Sequence, residues 1–203
     1  MNVFGSAVRF SLAAVLTAGL LVTPALPAAA ADGPAASAAI SRIRIDNFGQ
    51  VGATYFRGAQ PEGRDYADLA ALGIKTVIDL QADGEAGEQQ LVESAGMRFQ
   101  RIPMTTHTAP TAAQIATFLQ LVNDTQNQPV YVHCAGGRHR TGVMTAIYRM
   151  SGEGWTAEKA FQEMKQFKFG ADMLHPEFKR FVYAFQPQRS QPAATAAVAT
   201  VHQ

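Results

Sequence analysis

The chain has 203 residues, enough for one domain with a full hydrophobic core, and length alone gives no reason to propose two. A formal net charge of +1 with 16% charged residues excludes a general electrostatic footprint for nucleic acid or an anionic membrane, so any anion recognition must be local.

Residues 1–31 read as a secretory signal peptide. A short start carrying Arg9 precedes an apolar run from Phe10 to Val22, followed by Pro24, Pro27 and a small-residue cluster ending at Ala31. The run is shorter than the roughly 20 apolar residues a spanning helix needs. Cleavage is expected near Ala30 or Ala31, giving a periplasmic or extracellular protein with no stable membrane insertion. The signal has no paired arginines, which argues against the twin-arginine route. Residues 32–39, rich in Ala, Gly and Ser, read as a flexible lead-in. At the other end, residues 187–203 are Gln, Pro, Ala and Thr with few large apolar side chains, and read as a disordered tail. A domain over 40–186 remains.

Within it, strand-like runs alternate with helical patterns, the signature of an α/β fold with a sheet flanked by helices. Glu62 to Leu72 reads as a helix closed by Gly73, and Ile74 to Leu80 as a strand rich in β-branched residues. Asp83 to Glu88 is an acidic loop, and Met97 to Ile102 a second strand ending at Pro103. Thr111 to Val122 is a helix, with Ile115, Phe118, Leu119 and Val122 on one face and a Thr111/Gln114 capping box. Pro129 to Val132 reads as a buried strand and Val143 to Met150 as an apolar helix. Two further helices follow, Thr156 to Phe167 and Pro176 to Phe185. In the latter, the stripe Phe178, Phe181, Val182 and Phe185 has the spacing of ordinary packing.

The segment from Cys134 to Gly142 is therefore a strand-to-helix turn at the carboxyl end of a strand, where open α/β sheets bind ligands. Its composition suits a phosphoryl group. Consecutive backbone N–H groups on a Gly-rich loop before a helix N-terminus form an anion cradle, with Gly136 and Gly137 permitting restricted dihedrals. Cys134 stands first in that cradle and Arg140 six residues later. A helix N-terminus and adjacent positive charge favour thiolate over thiol, and a guanidinium fork grips two phosphoryl oxygens as lysine cannot. Cys134 is also the chain's one cysteine, so it makes no intramolecular disulfide.

The loop resembles the signature of the cysteine-dependent protein tyrosine and dual-specificity phosphatases, His-Cys, five residues, then Arg and Ser or Thr. It matches at His133, Cys134, Gly137, Arg140, Thr141 and Gly142. The stretches Tyr55 to Pro61 and Leu72 to Leu80, and the basic residue and His before Arg140, are similar to the atypical dual-specificity phosphatases of plants and fungi, some of which act on inositol pyrophosphates. The resemblance implies a central, mostly parallel sheet flanked by helices. It implies that Cys134 forms a cysteinyl-phosphate intermediate and that Arg140 binds the phosphoryl group. Thr141 would assist the departing thiolate, and His133 would hydrogen-bond the loop backbone. Ala135, Gly136, Gly137, Arg138 and His139 would line the substrate. No metal or other cofactor is required. Arg138 and His139 either add positive charge for a highly anionic substrate such as an inositol phosphate or simply solvate the loop edge. The implied partner is a phosphorylated protein or an inositol phosphate.

The sequence departs from the pattern at the general acid. These phosphatases usually carry an Asp on a loop some thirty residues before the cysteine, where this chain has Arg101 to Pro110 and no carboxylate. Thr106 takes the place of the Asp, with His107 beside it. His107 is the preferred acid. The acidic loop of Asp83, Glu85 and Glu88, or a leaving group that needs no strong acid, are the alternatives, with Asp172 a weaker one. Two other readings stay open: a rhodanese-like sulfurtransferase, which would not require Arg140 at this spacing, and a phosphate-binding module with little turnover.

Overall fold

The computed structural model describes residues 34–171 and 173–187. The expected signal peptide, Asp172 and the tail from 188 onward lie outside the described residues. Seven helices and five strands are described, in the order α1 (Pro34–Ile40), β1 (Gly49–Gly52), β2 (Tyr55–Gly58), α2 (Asp65–Ala71), β3 (Thr76–Gln81), α3 (Glu88–Ser94), β4 (Arg98–Met104), α4 (Ala112–Asn123), β5 (Val130–His133), α5 (Arg140–Gly152), α6 (Ala157–Gln166) and α7 (Pro176–Ala184).

The strands form one sheet in the order β1-β2-β5-β3-β4, parallel at every pairing except β1 with β2. β3 and β5 are buried at every position, as strands covered on both faces must be. Their side chains alternate between two cores. Ile78, Leu80, Val130 and Val132 pack with Phe118 of α4, Val143 and Ile147 of α5, Met164 of α6 and Phe178 of α7. Val77 and Tyr131 point to the opposite face, with Phe56, Leu69 of α2 and Val92 of α3. The parallel register sets Gly58 and Asp79 beside His133, so the carboxyl ends of β2, β3 and β5 meet where the turn of interest begins.

The sequence reading differs from this fold in four places. The lead-in contains the short helix α1 where flexibility was expected. The β1–β2 hairpin was not anticipated, because glycine-bounded strands of four residues carry too little alternation to register. α2 begins at Asp65, three residues later than expected, though Gly73 does end it with φ +93°. Glu88 belongs to α3 and is fully buried, not part of an exposed acidic loop.

The capping box at α4 is present in both directions. Thr111 Oγ1 accepts from Gln114 N at 3.2 Å, and Thr111 N donates to Gln114 Oε1 at 2.8 Å. Thr111→Ala is expected to cost about 1 kcal/mol of stability in urea unfolding, with an unchanged m-value.

Candidate active site

The turn after β5 has a definite back and front. Its carbonyls are taken from behind: Ala135 O by the backbone N–H of Gln60 at 3.2 Å, and Gly137 O by Asn47 Nδ2 at 2.9 Å and Arg57 Nη2 at 2.7 Å. In a planar trans peptide the N–H points opposite the C=O. Pinning those carbonyls therefore turns the N–H groups of Gly136 and Arg138 toward the front, beside Cys134. α5 starts immediately after, with Gly142 N donating to Arg138 O at 3.1 Å and Val143 N to His139 O at 2.9 Å.

Gly137 is required twice over. Its φ is +63°, and a Cβ there would lie 2.3 Å from the carbonyl carbon of Gly58. Gly136 has neither constraint, contrary to the expectation that both glycines serve special dihedrals. Cys134 is a free thiol, 3% exposed, at the floor of this concavity. Thr141 Oγ1 is buried with no hydrogen-bond partner, so the hydroxyl that the resemblance assigns to the departing thiolate is uncommitted.

Two arginines flank the loop. Arg140 is the first residue of α5, and its Nη1 donates to Asp83 Oδ1 at 2.9 Å and to Met104 O at 3.2 Å. The Arg140 side chain is buried while that of Asp83 is 78% exposed, so a carboxylate from the β3–α3 loop reaches over from solvent to a buried guanidinium. Arg57, on β2, is fully buried and packs over the ring of Phe167 at 4.1 Å, with Nε and Nη1 unpartnered. Burial lowers its pKa, while Tyr55, Glu163 and Cys134 oppose that. The sequence reading quoted Arg57 only as part of a resembling stretch. An arginine inside a strand is not legible as a site residue until its partner is seen.

His133 is not held as expected. It faces away from the loop backbone, with Nε2 2.9 Å from Glu88 Oε1 and Nδ1 4.0 Å from Asp79 Oδ1, all fully buried. The 2.9 Å approach lacks hydrogen-bond alignment. Arg101 closes the network, donating to Asp79 Oδ2 at 2.7 Å and lying 3.6 Å from Glu88 Oε2, while Gln60 donates to Glu88 Oε1 at 2.7 Å. Burial opposes ionisation of Glu88, but His133, Gln60 and Arg101 outweigh it and hold the carboxyl below the usual glutamate range.

The remaining sequence candidates lie on the rim. Arg138 lies 3.6 Å from Asp46, which offsets its charge. His139 pairs its Nε2 with Phe169 O at 2.9 Å; burial, with His175 and Arg138 acting in the same direction, pulls its pKa below the usual histidine value. Of the two readings of this residue, the lowered pKa favours a loop-edge side chain over added positive charge. His107 is exposed and stacks on His175 at 5.6 Å, and His175 lies 3.7 Å from His139. His175 escaped the sequence reading because a lone His before a helix carries no signal.

Two outcomes follow. Glu88 has a lowered folded-state pKa, so its contribution is complete above the unfolded value and is lost as pH falls through the folded one. Glu88→Gln is expected to lower stability at neutral pH and to flatten the loss of stability between about pH 5 and pH 3, read by chemical unfolding at each pH. Arg57→Met removes the donor to Gly137 O and an incompletely paired buried charge. Inhibition by inorganic phosphate is expected to weaken by about tenfold, in the range of a charge-assisted hydrogen bond, with no matching fall in melting temperature. Unchanged phosphate affinity would remove Arg57 from the loop's support.

Residues 44–179 match the family described as PTP-NADK, a DSP-PTPase phosphatase fused to NAD+ kinase. Over 164 residues the chain is 32% identical to the dual specificity protein phosphatase TpbA of Pseudomonas aeruginosa, covering 80% of this chain and 73% of that protein. The TpbA crystal structure superposes with a TM-score of 0.61 at 26% identity, over 70% of this chain and 86% of that one. Inositol diphosphatase DSP4 of Arabidopsis thaliana is 29% identical over 127 residues, covering 60% of this chain and 63% of DSP4. The catalytic core of the PP-IP phosphatase Siw14 from S. cerevisiae shares the fold, with a TM-score of 0.62 at 20% identity over 70% of this chain and 86% of that one. The chain therefore belongs to the DSP-PTPase family of cysteine-dependent dual-specificity phosphatases.

Proposed function

We propose that this phosphatase hydrolyses phosphate monoesters on proteins, phosphotyrosine above all, through a cysteinyl-phosphate on Cys134. The observation that carries the reading is Cys134 at the floor of a pinned amide cradle with the Arg140 guanidinium at its side. Cys134 Sγ attacks phosphorus, the bond to the ester oxygen breaks, and that oxygen leaves with a proton. Arg140 and the loop amides hold the equatorial oxygens as charge builds. Water then attacks the phosphoryl group and the S–P bond breaks, with Thr141 Oγ1 donating to the departing thiolate.

For the proton we favour Asp83 over His107. The hydrogen bond from Arg140 holds the Asp83 carboxyl below the usual range. A bound phosphoryl dianion takes over the fork of Arg140, leaving Asp83 beside negative charge without its cation, and both changes favour the protonated acid. Glu88 is sequestered with His133, and Glu85 contributes a backbone carbonyl to Arg101 at 2.8 Å. Asp83→Asn is expected to cut kcat on phenyl phosphate by roughly 100-fold or more, with little effect on the good leaving group of p-nitrophenyl phosphate. The same pattern in His107→Ala would give the role to His107, and in neither variant to no strong acid.

Substrate preference is argued from the rim. Arg138 shares Asp46 with Lys168, Arg140 is paired with Asp83, and Ala135 and Gly136 are uncharged, which makes the rim mixed in charge rather than densely cationic. Next to His175, Met173 and Leu174 are 82% and 64% exposed, an apolar edge suited to a peptide. Inositol diphosphate hydrolysis is the second reading, supported by the names of DSP4 and Siw14. We also propose export, on the pattern of residues 1–31. Phosphate release from phosphotyrosine, phosphoserine and phosphothreonine peptides and from inositol pyrophosphates is the test, with Cys134→Ser as control. Release is expected to be fastest from phosphotyrosine and lost in the variant. Faster release from inositol pyrophosphate would favour the second reading, and binding without turnover a phosphate-binding module.

A further inference from the structure

Three imidazoles stand in a row at the edge of the phosphate loop. His139, immediately before Arg140, lies with its ring centroid 3.7 Å from that of His175, and His175 stacks on His107 at 5.6 Å. They come from different parts of the chain, His107 from the segment between β4 and α4, and His175 from the head of α7. Glu177, in the first turn of α7, completes the group, with Oε1 3.2 Å from His175 Nδ1. One ligand atom from each of His107, His175 and Glu177 lies within 4.8 Å of the other two.

We infer that His107, His175 and Glu177 form a binding site for a divalent transition-metal ion of the zinc class, set against the phosphate loop through His139. Two imidazoles and a carboxylate are a donor set that zinc accepts with a fourth position left open, whereas calcium and magnesium ask for oxygen alone. Zinc bonds of about 2.0–2.2 Å place tetrahedral ligand atoms roughly 3.3 Å apart. The 3.2 Å pair of His175 and Glu177 already has that spacing.

These two side chains are 14% and 23% exposed. The His175 ring is further positioned by Phe178 at 5.9 Å and Phe169 at 6.3 Å. His107 is exposed, so side-chain rotation of about 1.5 Å brings it into a first shell of that size. The sequence separation of His107 from the other two hides the cluster from any spacing motif.

The ion ties the β4–α4 segment to the head of α7 across the mouth of the loop. That segment and the Met173–Leu174 edge are the walls a peptide substrate has to pass, so the metal-bound protein turns over more slowly. Asp83 and Arg140, from the β3–α3 connection and α5, are not among the ligands.

The test uses the mature chain without a polyhistidine tag and in the Cys134→Ser form, because the loop thiol is itself a zinc ligand. Calorimetric titration with zinc chloride is expected to give one ion per chain, and cobalt(II) visible d–d bands. Glu177→Gln and His175→Ala are expected to weaken binding by about tenfold or more. No saturable zinc binding, or binding that is unchanged in both variants, would overturn the site. With Cys134 restored, zinc is expected to slow hydrolysis of a phosphotyrosine peptide, and Glu177→Gln to raise the inhibiting concentration about tenfold while keeping metal-free turnover, which also reports that the variant is folded. Equal inhibition of Glu177→Gln and the parent would overturn the regulatory role.

Discussion

The hydrogen bond from Arg57 to the carbonyl of Gly137 is the constraint on which the phosphate loop depends. A phosphate cradle needs its amides to face one way, and the backbone has no intrinsic reason to hold that arrangement. Arg57 reaches it from inside the sheet, at the carboxyl end of β2, where the parallel register with β5 sets the strand beside the loop it supports. The bare Cα of Gly137 lets the two backbones meet, since any Cβ would collide with Gly58. The sheet, the buried guanidinium and one glycine thus determine where the loop amides point.

A second layer of charge lies beneath. His133, Asp79, Glu88 and Arg101 form a buried network at the carboxyl ends of β3 and β5, and Gln60 links it to the chain leaving β2. Buried charges are costly unless paired. Here the pairing spans three strands and α3, so the floor of the site is assembled only when the whole sheet is. Arg57 is the exception, a buried cation partly offset by the ring of Phe167 and a carbonyl.

Much of this was legible in the sequence. Cys134, Arg140 and Thr141 are read from a continuous segment whose spacing has a chemical reason, and the alternating elements around it place that segment at the end of a buried strand. What was hidden depends on tertiary proximity. Asp83 looks like one of several loop acids until Arg140 is seen beside it. Glu88 looks like a solvated charge until α3 carries it under the sheet. His133 seemed a loop-backbone ligand, and the carboxylates that hold it come from β3 and α3. His139 could be read as added charge or as loop edge, and only its burial, which lowers its pKa, favours the second. The β1–β2 hairpin was missed for a different reason, because it is too short for periodicity to reveal.

The central claim is that Cys134 carries the phosphoryl group. The most direct measurement is rapid acid quenching of the protein during turnover of a phosphotyrosine peptide, followed by mass spectrometry of the fragment containing Cys134. The account predicts one added phosphoryl group on that fragment, appearing before steady state and accumulating when Thr141 is replaced by Ala. Phosphate release at the same rate with no phosphorylated cysteine at any time would contradict it, and would point to direct attack by water.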